Sequence, residues 1–134
     1  MMLTEDQRLV QDMARAFAQE QLKPKAAERD QSGTPPLDAL KAMGELGLLG
    51  MTVREEWGGA AADVMSYVLA LEEVAAGDGG ISTIMSVNNS PVGAAVETYG
   101  TADQKTRFLK KLARGEMLGA GCLRGLFTMF QNYL

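Results

Sequence analysis

A chain of 134 residues, 46% of them hydrophobic, is long enough to fold as one domain around a real core. Its net charge of −4 and isoelectric point near 4.8 argue against a surface built for nucleic acid or for an anionic membrane. It has no histidine and a single cysteine, Cys122, which excludes Ser-His-Asp and Cys-His catalytic units, imidazole metal ligation and an internal disulfide, and fits a reducing, cytoplasmic setting.

No run reaches the roughly 18–20 apolar residues of a membrane span. Glu5 and Asp6 follow Met1–Thr4 directly, so no signal-peptide pattern is expected. Thr4 with Gln7 three residues on reads as a capping box, and Glu5 and Asp6 suit the first turn of a helix. Leu9, Met13, Ala16, Phe17 and Ala18 give that helix an apolar face, and Pro24 ends or kinks it near Leu22. Lys23–Gln31 is charged and solvated, and Ser32-Gly33 is a break. Thr34 then reads as an N-cap with Pro35 at the first helical position. The helix it opens carries Leu37, Leu40, Met43 and Leu46 and stops at Gly47.

Leu48–Gly59 has no helical period and reads as an extended segment turning at Gly58-Gly59. Trp57, the only tryptophan, is either a core plug under that turn or a binding aromatic. Asp63 is placed to cap a third helix with Val64, Tyr67, Val68, Leu71, Val74 and Ala75 on its face, closed by Gly77. Glu72 and Glu73 are adjacent and so point to different faces, a spacing that does not suggest paired-carboxylate catalysis.

The chain is organised around the next stretch, Asp78–Tyr99. Ile81, Ile84, Met85, Val92, Ala95, Val96 and Tyr99 fall at helical spacing, as a core helix requires. Thr83, Ser86, Asn89 and Ser90 make a second stripe of short polar side chains, with neither Lys nor Glu before Glu97. Such a stripe suits close approach, by another helix in a packed seam or by a ligand. Pro91 removes one backbone donor and predicts a kink near Val87–Pro91. The glycine-rich turn at Gly77–Gly80 follows a helix rather than a strand, so the dinucleotide fingerprint fails and a plain interhelix turn is expected.

Gly100 ends this helix and Thr101 with Gln104 forms a second capping box. Phe108, Leu109 and Leu112 face the core from the last helix, with Lys105, Arg107, Lys110, Lys111 and Arg114 on its solvated side. Gly115–Leu123 is apolar and glycine-rich, like the entry to a strand. These elements predict an all-α antiparallel bundle of about five helices, ending in an incomplete, unpaired strand-like segment. No nucleophile–base pair, metal-ligand cluster or phosphate-cradling loop stands in the sequence, so no catalytic or metal-binding residue is assigned.

Four stretches in this order resemble a known family: LTEDQRLVQDMARAFAQEQLKPKAAERD at Leu3–Asp30, LKAMGELGLLGMTVREEWGG at Leu40–Gly59, LALEEVAAGDGGISTIMSVNNS at Leu69–Ser90 and YGTADQKTRFLKKLARGEMLGAGCL at Tyr99–Leu123. They resemble the N-terminal α-helical domain of the flavin-dependent acyl-CoA dehydrogenases, and ISTIMSVNNS is most similar to the short-chain, butyryl-type members. The resemblance implies α,β-dehydrogenation of a fatty acyl-CoA thioester. A carboxylate removes the α-proton, FAD accepts the β-hydride, and an electron-transferring flavoprotein collects the electrons. It implies that Thr83, Ser86 and Ser90 line the acyl pocket and that Gly121, Cys122 and Leu123 run along the flavin.

After Leu123 the chain departs from the family, which continues with Thr-Glu-Pro and then a Gly-Ser-Asp turn. Here the residues are RGLFTMFQNYL, Arg124–Leu134, with Arg124 where the flavin-contacting Thr is expected. The resemblance therefore implies a helical domain at 1–120 and a truncated start of the β-domain with a divergent tail at 121–134. It implies a fragment that supplies the pocket wall, is inactive alone and does not form the family's tetramer. The rival reading is a stand-alone, non-catalytic helical interaction module.

Overall fold

The computed structural model describes residues 2–124 and 127–133, with side-chain surroundings as far as Gly121. Helix α1, Glu5–Phe17, starts as its capping box requires. Thr4 Oγ1 accepts the Gln7 N–H at 3.2 Å and Gln7 Oε1 accepts the Thr4 N–H at 3.1 Å. It runs on through a wide turn at Ala18–Leu22 and a tight one at Lys23–Lys25 into α2, Ala26–Ser32. The bend falls beside Pro24, where Lys25 leaves helical geometry at φ −110° and ψ 3°. Gly33 then stops the rod in the left-handed region at φ 63°.

Helix α3, Leu37–Glu45, begins two residues later than the sequence suggests. Thr34 makes no cap, and Pro36 precedes the first turn without a side-chain cap bond. Two consecutive prolines explain the shift, because the residue before each is pushed out of the α region. Leu48–Gly59 is not extended. Its backbone closes reverse turns on itself, with Gly50 N–H donating to Gly47 and Val53 N–H to Gly50, each at 3.3 Å. A short 3₁₀ turn at Glu55–Trp57 ends in Gly58, whose φ of 83° gives the expected turn. No strand lies alongside this segment among the described residues, so its polar backbone groups bond locally or to side chains.

Helix α4, Val64–Gly77, starts at the Asp63 cap, whose Oδ1 accepts the Ser66 N–H at 2.9 Å. Asp78 ends α4 and at once caps α5, Gly79–Val87, by accepting the Ile81 N–H at 3.0 Å. The kink predicted from Pro91 is present. Asn88–Gly93 is a wide turn in which Ser90 leaves helical geometry (φ −148°, ψ 120°), and α6, Ala94–Tyr99, resumes beyond it. The last rod comprises α7 (Ala102–Gln104), a wide turn at Lys105–Leu109 and α8 (Lys110–Ala113), opened by the second capping box. Strand β1, Leu118–Arg124, pairs antiparallel with β2, Phe127–Tyr133, in a register running from Leu118↔Tyr133 to Arg124↔Phe127.

The five expected helical rods are therefore present, and the strand-like end follows them, but it is paired rather than unpaired. A single strand leaves a row of backbone groups without partners, and the Phe-, Thr- and Tyr-bearing residues of β2 supply them. The main core joins Phe17 and Leu22 of the first rod to Met43 of α3, Val74 of α4 and Ile81 and Met85 of α5, closed below by Leu48 and Leu49. A second cluster of Val53, Leu109 and Ala113 takes Trp57 and Val96 at its edge, so Trp57 is a plug under its turn. The buried stripe is narrower than the apolar faces read from the sequence: Leu9, Val64 and Val68 all stand exposed.

Candidate functional site

The organising stretch divides into three environments. Thr83, on α5, is exposed and its Oγ1 donates to the Gly79 carbonyl at 3.1 Å. Ser86, one turn on, is half-buried. The two line a shallow groove of about 380 Å³ between α4 and α5, with Leu71, Glu72 and Ala75 across from them. Ser90 is exposed at the break in the helix and does not line that groove. The sequence-predicted trio is thus split, with Thr83 and Ser86 together and Ser90 apart.

Asn89, counted in the polar stripe, is fully buried and faces the protein. Its Nδ2 donates to the carbonyls of Leu48 (2.8 Å) and Met85 (3.0 Å), and its Oδ1 accepts Met51 N–H at 2.7 Å. Asn88, given no role by the sequence, is equally buried. Its Nδ2 donates to the carbonyls of Leu49 (2.8 Å) and Leu112 (3.0 Å), and its Oδ1 accepts Gly119 N–H at 2.9 Å. The only signal for this pair was two adjacent amides in a stretch otherwise fit for a core. A buried amide needs every donor and acceptor matched, and here the backbone matches them.

Charged groups around the helices clamp one element to the next. Hydrogen bonding from Arg15 holds the Glu73 carboxyl below the usual carboxylate range, and the Ser66 N–H does the same for Asp63. A carboxylate held down in this way is a weak proton acceptor. Arg29 bonds the Asp78 carboxylate at 2.8 Å, joining α2 to the start of α5, so the glycine-rich turn there is an interhelix joint. Among the described residues, no three His, Cys, Asp or Glu side chains are gathered to hold a metal ion, and no helix is long and apolar enough to cross a membrane.

Gly121, Cys122 and Leu123 lie on β1 opposite Phe130, Met129 and Thr128. The side chains of Cys122 and Leu123 lie outside the described residues.

Helices of this order, length and packing are found in solved enzymes. The butyryl-CoA dehydrogenase of Megasphaera elsdenii superposes with a TM-score of 0.84 at 31% identity, over 93% of this chain and 34% of that one. A glutaryl-CoA dehydrogenase of Mycobacterium smegmatis, solved with FADH2, gives 0.82 at 34% identity, over 87% of this chain and 30% of that one. The short-chain specific acyl-CoA dehydrogenase of Clostridium acetobutylicum is 40% identical over 118 residues, 88% of this chain and 31% of the relative. The profile of the acyl-CoA dehydrogenase N-terminal domain matches residues 4–116, and the chain belongs to that family. It spans about a third of the length of these relatives.

A flavin is a flat ring system that needs walls on its faces and polar groups at its edge. Gly121 is exposed, and a Cβ added there would meet nothing within 4 Å.

Proposed function

We propose that this chain supplies the acyl-pocket wall of an FAD-dependent acyl-CoA dehydrogenase, with residues 1–120 as its helical domain and 121–134 as the start of the β-domain with a divergent sequence. In this reading Thr83 and Ser86 face the acyl chain from the α5 groove and Ser90 borders it at the helix break. The observation that carries the reading is the family match over residues 4–116 together with the groove bearing Thr83 and Ser86. The substrate is a short fatty acyl-CoA thioester, the class that the butyryl-CoA and short-chain specific relatives are named for. Gly121, Cys122 and Leu123 run along the flavin from β1, and the α-proton acceptor and the other flavin walls belong to the rest of that enzyme. An electron-transferring flavoprotein receives the electrons, and the protein works in the cytoplasm.

The test joins residues 1–117 to the remainder of the Megasphaera butyryl-CoA dehydrogenase and compares acyl-CoAs of rising chain length. Ser86→Phe adds a ring to the groove and is expected to reduce kcat/KM for longer chains more than for butyryl-CoA, because only chains that reach the ring meet it. Equal loss at every length would make Ser86 a packing residue. A fusion that folds and never turns over acyl-CoA would leave the stand-alone helical module as the better reading.

A further inference from the structure

Asn88 occupies the point where β1 leaves the helices. Its single amide bonds three separate elements: the Leu49 turn, the Leu112 end of α8 and the Gly119 N–H of β1. Gly119 lies so close to the helices that an added Cβ would come within 2.9 Å of Val92 Cβ and 3.2 Å of Leu112 Cδ2. The strand backbone therefore rests on the helical layer, with one directed hydrogen bond fixing its position.

We propose that Asn88 is the positioning residue for β1: through Gly119 it sets where the strand bearing Gly121–Leu123 stands relative to the helix wall bearing Ser86. The importance of that spacing rests on the acyl-pocket reading above, whereas the geometry does not. The side chain suits the task by chemistry. Two carbonyls require two donors and one N–H requires an acceptor, within reach of a side chain this short. Aspartate lacks the donors, glutamine is one methylene too long, and leucine leaves the Leu49 carbonyl and the Gly119 N–H without their partner. Apolar contact alone would let a strand slide along Val92 and Leu112. A hydrogen bond to a defined N–H fixes its register.

Residue-resolved amide exchange on the ¹⁵N-labelled chain tests this. In Asn88→Leu, Gly119 is expected to exchange about tenfold faster while Ala70 and Val74 of α4 keep their protection. Asn88→Asp restores an acceptor. With the introduced carboxyl neutral at mildly acid pH, Gly119 regains protection, and its amide resonance moves as that carboxyl ionises. Asn89→Asp, whose carboxyl faces Met51 instead, leaves the Gly119 resonance flat over the same range. If Asn88→Leu does not fold, the unaltered chain decides, through scalar coupling between the Gly119 nitrogen and the Asn88 Cγ across their hydrogen bond.

An unchanged Gly119 rate in Asn88→Leu, a flat Gly119 resonance in Asn88→Asp, or no coupling to Asn88 in the unaltered chain overturns the proposal. None of these readouts uses acyl-CoA, so their failure is distinct from failure of the chain-length assay.

Discussion

Glu73 on α4 accepts two hydrogen bonds from the Arg15 guanidinium on α1, at 2.7 and 3.1 Å, and a third from Gln11 Nε2 at 3.1 Å. Helices α1 and α4 are the two longest in the fold, and this grip pins their crossing at the edge of the core.

The grip makes stability depend on acid. Glu73 is held below its ordinary range in the folded chain, chiefly by the Arg15 hydrogen bond, and Asp63 is held down by the Ser66 N–H. A lowered carboxylate stabilises the fold above its unfolded value and loses that contribution as pH falls through the folded one. Urea midpoints are expected to hold steady down to about pH 4.5 and fall below it. Glu73→Gln lowers the midpoint near neutrality and flattens the acid limb. A variant curve parallel to the parent's at every pH would show that Glu73 is not the group responsible.

Asn89→Ala is expected to destabilise by about 2–3 kcal/mol, because it orphans the Met51 N–H and the Leu48 carbonyl in a dry interior. Chemical denaturation followed by tryptophan fluorescence reads it, with Trp57 as the sole reporter. A loss below about 0.5 kcal/mol would mean that water or a shifted backbone satisfies those groups.

Gly50→Ala places a Cβ 2.6 Å from Ala113 Cβ and 2.7 Å from Ala113 Cα, where the 47–53 turns meet the end of α8. Backbone must move to admit it, at an expected cost of about 1–3 kcal/mol. Thermal unfolding by circular dichroism checks this, and a melting temperature equal to the parent's would show that the turn yields freely.

The purified chain is expected to emerge colourless and to leave FAD fluorescence unquenched on titration, because Gly121 faces open space. Saturable quenching at micromolar protein would show that the hairpin and helices assemble a flavin site unaided.

Much of the fold was legible in the residues. Thr4, Asp63 and Thr101 cap the helices assigned to them, Gly33 and Gly58 turn the chain, and Pro91 stands at the break, because these effects act within a few residues of their cause. Thr34 misled because Pro36, two residues on, pushes Pro35 out of the α region and outweighs the cap, a local conflict that the Thr-Pro pair alone does not show. The 48–53 segment misled for a different reason. It has no period because it is held by Asn88 and Asn89, about forty positions along the chain, rather than by a strand.

The sequence by itself determined the helical rods, the caps at Thr4, Asp63 and Thr101, and the family, since short-range propensity and motif order are written in the chain. Only the tertiary structure decided which members of the polar stripe face outward. Thr83, Ser86, Asn89 and Ser90 are alike in size and polarity, and helical spacing put them on one side. The approach of the 48–53 turns buried Asn89 and drew in Asn88, while Thr83 and Ser86 were left along a groove and the backbone break at Ser90 carried that residue out of it. A buried amide is stable only where distant backbone meets every one of its hydrogen-bonding groups, and that match exists only once the elements have packed.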